Sequence, residues 1–127
     1  MAALHPRAFG RERNGEGRTM TYIQVVTTTA RREEAQRIAR ELVEKRLAAC
    51  AQVSGPITSI YRWQGKIETD EEWQCWCKTR GEFFAQVEAA IRAIHPYEVP
   101  EILAVPIVAG SERYLAWLDE QTRGEQT

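Results

Sequence analysis

A chain of 127 residues with 43% hydrophobic and 28% charged side chains has the balance of one globular domain, which excludes wholesale disorder. A net charge of -1 offers no bulk attraction to nucleic acid, and no apolar run approaches the roughly 20 residues of a membrane-spanning helix. Nucleic acid and membrane are therefore not expected partners.

Charge is uneven along the chain. Residues 1–19 hold four arginines, two glutamates, three glycines and the only asparagine, Asn14. This head lacks apolar periodicity and an apolar h-region, so it reads as a disordered extension and not as a signal peptide. Met20 follows it directly and is an alternative start; a basic tail that touches an acidic partner is the other reading of the head. The folded domain is expected over 20–121, with a short tail over 122–127. Three cysteines without framework spacing indicate a reducing compartment, so a cytoplasmic location is expected.

Tyr22 to Thr28 is rich in β-branched residues and reads as a strand. Thr28 or Thr29 can cap the helix that follows, with Glu33 and Glu34 in its first turn. Ala35, Ile38, Ala39, Leu42, Val43 and Leu47 keep a helical period, with charged residues on the other face. A second strand starts at Ala49 to Val53, is interrupted at Gly55-Pro56 and continues from Ile57 to Trp63. Gln64-Gly65 suits a two-residue hairpin turn, and Lys66 to Thr79 returns as a long, bent third strand. A second helix is predicted over Glu82 to Ile94, stopped by Pro96. Ile102 to Ala109 reads as a fourth strand, and Ser111 caps a last short helix carrying Tyr114, Leu115 and Leu118.

The order β-α-β-β-α-β-α predicts an α+β, ferredoxin-like sandwich with an extra C-terminal helix and a long β2–β3 hairpin. Its first and third strands should be central, which leaves Pro56 and Pro106 on edge strands, where proline is tolerated. Two apolar edges, and Trp76 on the face the first two helices cannot cover, predict an oligomer.

These residues also carry a family resemblance. EKRLAACAQV (44–53), ITSIYRWQGKIE (57–68), Lys78-Thr79, HPYEVPEILAVPI (95–107) and YLAWL (114–118) together resemble the CutA family of divalent-cation tolerance proteins. The resemblance spans about residues 20–120. It implies a ferredoxin-like homotrimer, not an enzyme, that responds to metal ions, with copper the metal most often proposed. The family's Cys just after the first strand, a proposed metal ligand, corresponds to Thr29 here, a poor ligand for a soft metal. A Cys-His-Glu site is thus not expected; any site would be weaker, or completed by water or a neighbouring subunit.

His95 and Glu98 are the metal candidates, since imidazole and carboxylate suit Cu(II) or Zn(II). Alternatively His95 only caps a helix end. Cys75 and Cys77 form a C-x-C pair that could bind Cu(I), but they also read as small apolar fillers of the core, as does Cys50. Glu68, Asp70, Glu71 and Glu72 read as a solvated acidic edge, with weak Ca(II) or Mg(II) binding as the alternative. Tyr61, Trp63, Lys66, Glu68, Tyr97, Glu101 and Trp117 could line an inter-subunit cleft for a small molecule, or simply pack an interface. The cleft reading makes the protein a trimeric sensor or adaptor similar in architecture to PII signalling proteins. No phosphate loop, dinucleotide fingerprint or nucleophile elbow is present, so an enzyme has no constellation behind it.

Overall fold

The computed structural model describes residues 21–123. The predicted extension over 1–19, the alternative start at Met20 and residues 124–127 lie outside them. The strands are β1 (Tyr22–Thr29), β2 (Cys50–Trp63), β3 (Lys66–Arg80) and β4 (Leu103–Pro106), and the helices are α1 (Arg32–Glu44), α2 (Phe84–Ile94) and α3 (Glu112–Gln121). A 3-10 turn over Gly81–Phe83 leads into α2, where the sequence predicted helix from Glu82. The four strands form one antiparallel sheet in the order β2-β3-β1-β4, which is the ferredoxin-like arrangement. Pro56 and Pro106 therefore fall on edge strands, as their missing N–H requires.

Helix α1 follows from its apolar stripe: Ala35, Ile38 and Leu42 are buried, one turn apart on the same face. Its start departs from expectation. Neither Thr28 nor Thr29 caps it; the Glu34 carboxylate accepts from the Arg31 N–H at 3.1 Å, while the Thr29 hydroxyl donates to the Arg31 carbonyl at 2.9 Å. The helix ends where Arg46 takes φ 60° and the Leu47 N–H turns back to the Leu42 carbonyl at 2.9 Å. Ile23, Val25, Cys75 and Cys77 face α1 and α2, whose Ile38, Leu42, Val87 and Ile91 complete the core.

The other face of the sheet is not left wholly open. Helix α3, capped as predicted by Ser111 (Oγ accepts from the Tyr114 N–H at 3.1 Å), lies against it. Tyr22 donates to Asp119 at 3.2 Å, and the Arg80 guanidinium pairs with the same carboxylate at 3.2 Å. Arg80 also donates to Thr122 Oγ1 at 2.9 Å. Thr122 is fully buried beneath this contact. Cys50 lies beside Tyr114 on this face, half-buried, and is not part of the main core. Trp76 is half-buried.

Strands β2 and β3 outrun β1. Trp73 to Arg80 pair with β1, whereas Lys66 to Glu72 pair only with β2 and form a two-stranded arm. Gln64 (φ 51°) and Gly65 (φ 83°) close it in the left-handed turn that the residue pair predicts. Strand β4 is shorter than the predicted Ile102–Ala109. At one end β1 has run out, the last bond being from the Ile107 N–H to the Tyr22 carbonyl at 3.0 Å. At the other end, beyond the Val26–Leu103 pair, the Thr28 carbonyl is taken by His95.

An acidic cleft between the hairpin arm and the loop after α2

That last contact builds the candidate site. Pro96 stops α2, and the chain from His95 to Glu101 crosses the end of β1 towards the arm. His95 anchors this loop with both ring nitrogens. Nδ1 accepts from the Tyr97 N–H at 3.1 Å, which places the ring proton on Nε2, from where it donates to the Thr28 carbonyl at 2.9 Å. The Tyr97 ring packs on the imidazole at 4.8 Å between centroids. Its hydroxyl reaches across to β3 and donates to Glu72 Oε2 at 2.7 Å. On the arm, the Tyr61 hydroxyl donates to Asp70 Oδ2.

Between loop and arm lies a cavity of about 880 Å³. Tyr61, Trp63, Asp70, Glu71 and Glu72 line it from the arm, and Tyr97, Glu98, Val99 and Glu101 from the loop. Five acidic residues thus line one space, Glu71 on the strand face opposite Asp70 and Glu72, and the lining contains no lysine or arginine. The electrostatics register this crowding. Burial, and then the neighbouring Glu72, raise the Glu101 carboxyl above its ordinary value. Burial and the bond to Glu72 raise the Tyr97 phenol, and the bond to Asp70 pushes Tyr61 up to about 12.

Of the residues singled out from sequence, Tyr61, Trp63, Tyr97, Glu98 and Glu101 share the cavity wall. His95 stands behind it and holds the loop. Lys66 sits at the arm's tip opposite Trp63, Glu68 lies opposite Tyr61, and Trp117 stacks on Tyr114 of α3 at 5.4 Å; none of these three lines the cavity. The acidic run is not simply a solvated edge. Glu72 is only 8% exposed, and Asp70 and Glu71 line the cavity with it. The signal was strand alternation: Glu72 shares the face of Gln74 and Trp76, opposite the core cysteines.

The site as expected at His95 and Glu98 does not fit a metal without rearrangement. Both imidazole nitrogens are engaged within the chain, and Thr29, at the position of the family's Cys, spends its hydroxyl on a backbone carbonyl. Among the described residues no three His, Cys, Asp or Glu side chains converge as a preformed cage. Cys75 and Cys77 are each 1% exposed, and burial pushes both thiols up to about 12, so they act as core fillers and not as thiolate ligands.

The His95 anchor has a pH signature. Burial lowers its pKa below the ordinary 6.5, against the pull of the Thr28 carbonyl, Glu34 and Glu72. The unfolded chain therefore takes up this proton at a higher pH than the folded one. The stability due to neutral His95 is complete above the unfolded value and lost as pH falls through the lowered one. Thermal melts between about pH 8 and pH 5.5 should fall more steeply for wild type than for His95→Asn, which keeps a side-chain acceptor but cannot titrate there. Equal slopes would show that His95 is not an essential neutral anchor.

Fold and cleft together define a small antiparallel α+β protein with an acidic cavity at one end of its sheet. The sequence profile of the CutA1 divalent ion tolerance protein matches residues 23–121. A divalent-cation tolerance protein CutA of Thermus thermophilus is 46% identical over 98 residues, covering 77% of this chain and 95% of that one. The chloroplastic protein CutA of Arabidopsis thaliana is 38% identical over 106 residues, covering 84% of this chain and 58% of that one. The solved structure of the periplasmic divalent cation tolerance protein CutA from Archaeoglobus fulgidus superposes with a TM-score of 0.77 at 42% identity, covering 80% of this chain and 98% of that one. The chain belongs to the CutA1 divalent ion tolerance family.

The same relatives overturn the cytoplasmic location expected from the cysteines. One is named chloroplastic and another periplasmic, so this fold is not tied to a single compartment. Among the described residues no helix is long and apolar enough to cross a membrane.

Proposed function

We propose that the protein is a non-enzymatic, cation-responsive homotrimer whose acidic cleft concentrates divalent cations. The observation that carries this reading is the set of five acidic residues lining one cavity with no lysine or arginine in its wall. Because they do not form a cage, a dication would bind through one or two of them and keep most of its water, as hard cations such as Mg(II) do. Copper, the metal suggested by the resemblance, prefers imidazole and would need His95 to give up its backbone bonds. Carboxylate oxygens favour harder ions such as Mn(II).

Exposed apolar side chains support the trimer. Ile60 is 69% exposed and Ile67 59% on the arm, Val99 is 66% exposed on the loop, and Leu103 is 57% exposed on the β4 edge. Edge strands β2 and β4 carry unpaired backbone groups that a second copy can satisfy. A strictly monomeric mass in sedimentation would contradict the assembly.

The metal reading is tested by calorimetric titration of metal-free protein with Mn(II), Zn(II) and Cu(II), beside Glu72→Gln. Saturable binding of roughly micromolar to millimolar strength, weakened in the variant, is expected. Heats of dilution alone, or binding that ignores Glu72→Gln, would refute it. A second reading, a PII-like sensor of a small molecule, draws on the aromatic part of the wall, Tyr61, Trp63 and Tyr97.

A further inference from the structure

Glu72 is a buried carboxylate without a counter-charge. Its one hydrogen bond among the described residues comes from a neutral phenol, the Tyr97 hydroxyl. Its second oxygen has no partner there, and the ion pairs of the described residues all lie elsewhere. Buried charges are normally paired, and the cavity that Glu72 lines is the space from which a cation can reach it.

The rest of the wall says what kind of cation. Tyr61, Trp63 and Tyr97 put aromatic rings around the same space. Ring faces attract cations, most strongly weakly hydrated ones that also bring carbon to bury. A hydrated dication gains little from them. An alkylammonium or guanidinium group uses both parts of the wall, its charge on the carboxylates and its carbon on the rings.

We infer that the cleft is a receptor for an alkylammonium or guanidinium group, with Glu72 and Glu101 taking the charge and Tyr61 and Tyr97 the apolar body. This rests on the reading of the cleft as a cation site, but not on that cation being a metal. The group has two sources: a free amine, or Lys66 of a second copy. Lys66 is exposed at the arm's tip and forms no ion pair among the described residues. The chain's own Lys66 stands about 20 Å along β3 from Glu72, beyond the reach of its side chain.

The test is calorimetric titration of the full chain with n-butylammonium chloride at constant ionic strength, on wild type, Glu72→Gln, Lys66→Ala and Tyr61→Ala, beside a Mn(II) titration of each. Saturable amine binding to wild type, weakened at least about ten-fold in Glu72→Gln, supports a free amine. No binding to wild type but saturable binding to Lys66→Ala supports Lys66 of a second copy as the occupant. Tyr61 is 41% exposed, so its replacement is expected to leave the fold intact. Tyr61→Ala should weaken the amine and not Mn(II), and this arm decides if Glu72→Gln does not fold. Amine silence in both wild type and Lys66→Ala, or amine binding unchanged by Glu72→Gln and Tyr61→Ala, overturns the inference. Mn(II) binding beside amine silence would remove this inference and leave the metal reading, and the converse would remove the metal reading alone.

Discussion

Replacing Gly55 by alanine should lower the thermal midpoint by about 15 °C, from a loss of about 3 kcal/mol. Two effects add. Gly55 has φ 148°, a backbone region that residues with a Cβ rarely adopt. A Cβ built there would stand 2.8 Å from Trp73 Cε3 and 3.1 Å from the Glu72 carbonyl, so either the indole or β3 must move. The position matters for the site as well as the fold. The register of β2 against β3 shifts between Ser54 and Ile57, and that shift sets how Ser59, Tyr61 and Trp63 face Asp70 and Glu72. The variant should therefore lose cation binding along with stability. Differential scanning calorimetry checks the first effect, and a midpoint within a few degrees of wild type would show that the strands relax around the added methyl.

Ile91→Ala should cost about 3 kcal/mol, because Ile91 is 1% exposed in the core cluster and truncation leaves a cavity. Its side chain fixes the last full turn of α2 against the sheet, and its carbonyl accepts from the His95 N–H at 2.9 Å. Loosening that turn should loosen the His95–Tyr97 anchor with it. Urea unfolding measures the loss as a lower midpoint at unchanged slope. A cost below about 1 kcal/mol would mean that Phe84 or Ile94 collapses into the space.

The fold was legible because each element carries its own pattern. The stripe of Ala35, Ile38 and Leu42, the β-branched run of β1, Gln64-Gly65 and the stop at Pro96 all stand in the structure where the sequence places them. What went unread depends on contacts distant in sequence. Glu34, not a threonine, starts α1, and β4 is cut short at its start, where His95 takes the Thr28 carbonyl, and more so at its end, where β1 has run out. The covering of Tyr22 and Arg80 by α3 is a contact across most of the chain.

The site was half legible. Aromatic residues flanked by charge marked the arm, and HPYE marked the loop. Sequence spacing could not tell a ligand from an anchor, and His95 is held as an anchor because Tyr97 N–H lies two residues on and the end of β1 lies beside it. Sequence does not separate Glu72 from the three other acidic residues of its run, of which it is the buried one. Only the crossing of the loop reveals that Tyr97 reaches it.

The central claim is that cations enter the cleft at its carboxylates while His95 stays bound to the backbone. Amide NMR spectra of the protein with substoichiometric Mn(II) test this most directly, since the ion broadens the nearest signals first. Broadening centred on Asp70, Glu72, Glu98 and Glu101, with the His95 Nε2 resonance in a parallel sample holding diamagnetic Mg(II) still that of a protonated, hydrogen-bonded nitrogen, is the predicted result. Broadening centred on Cys75 and Cys77, or spread evenly over the surface, would contradict the account.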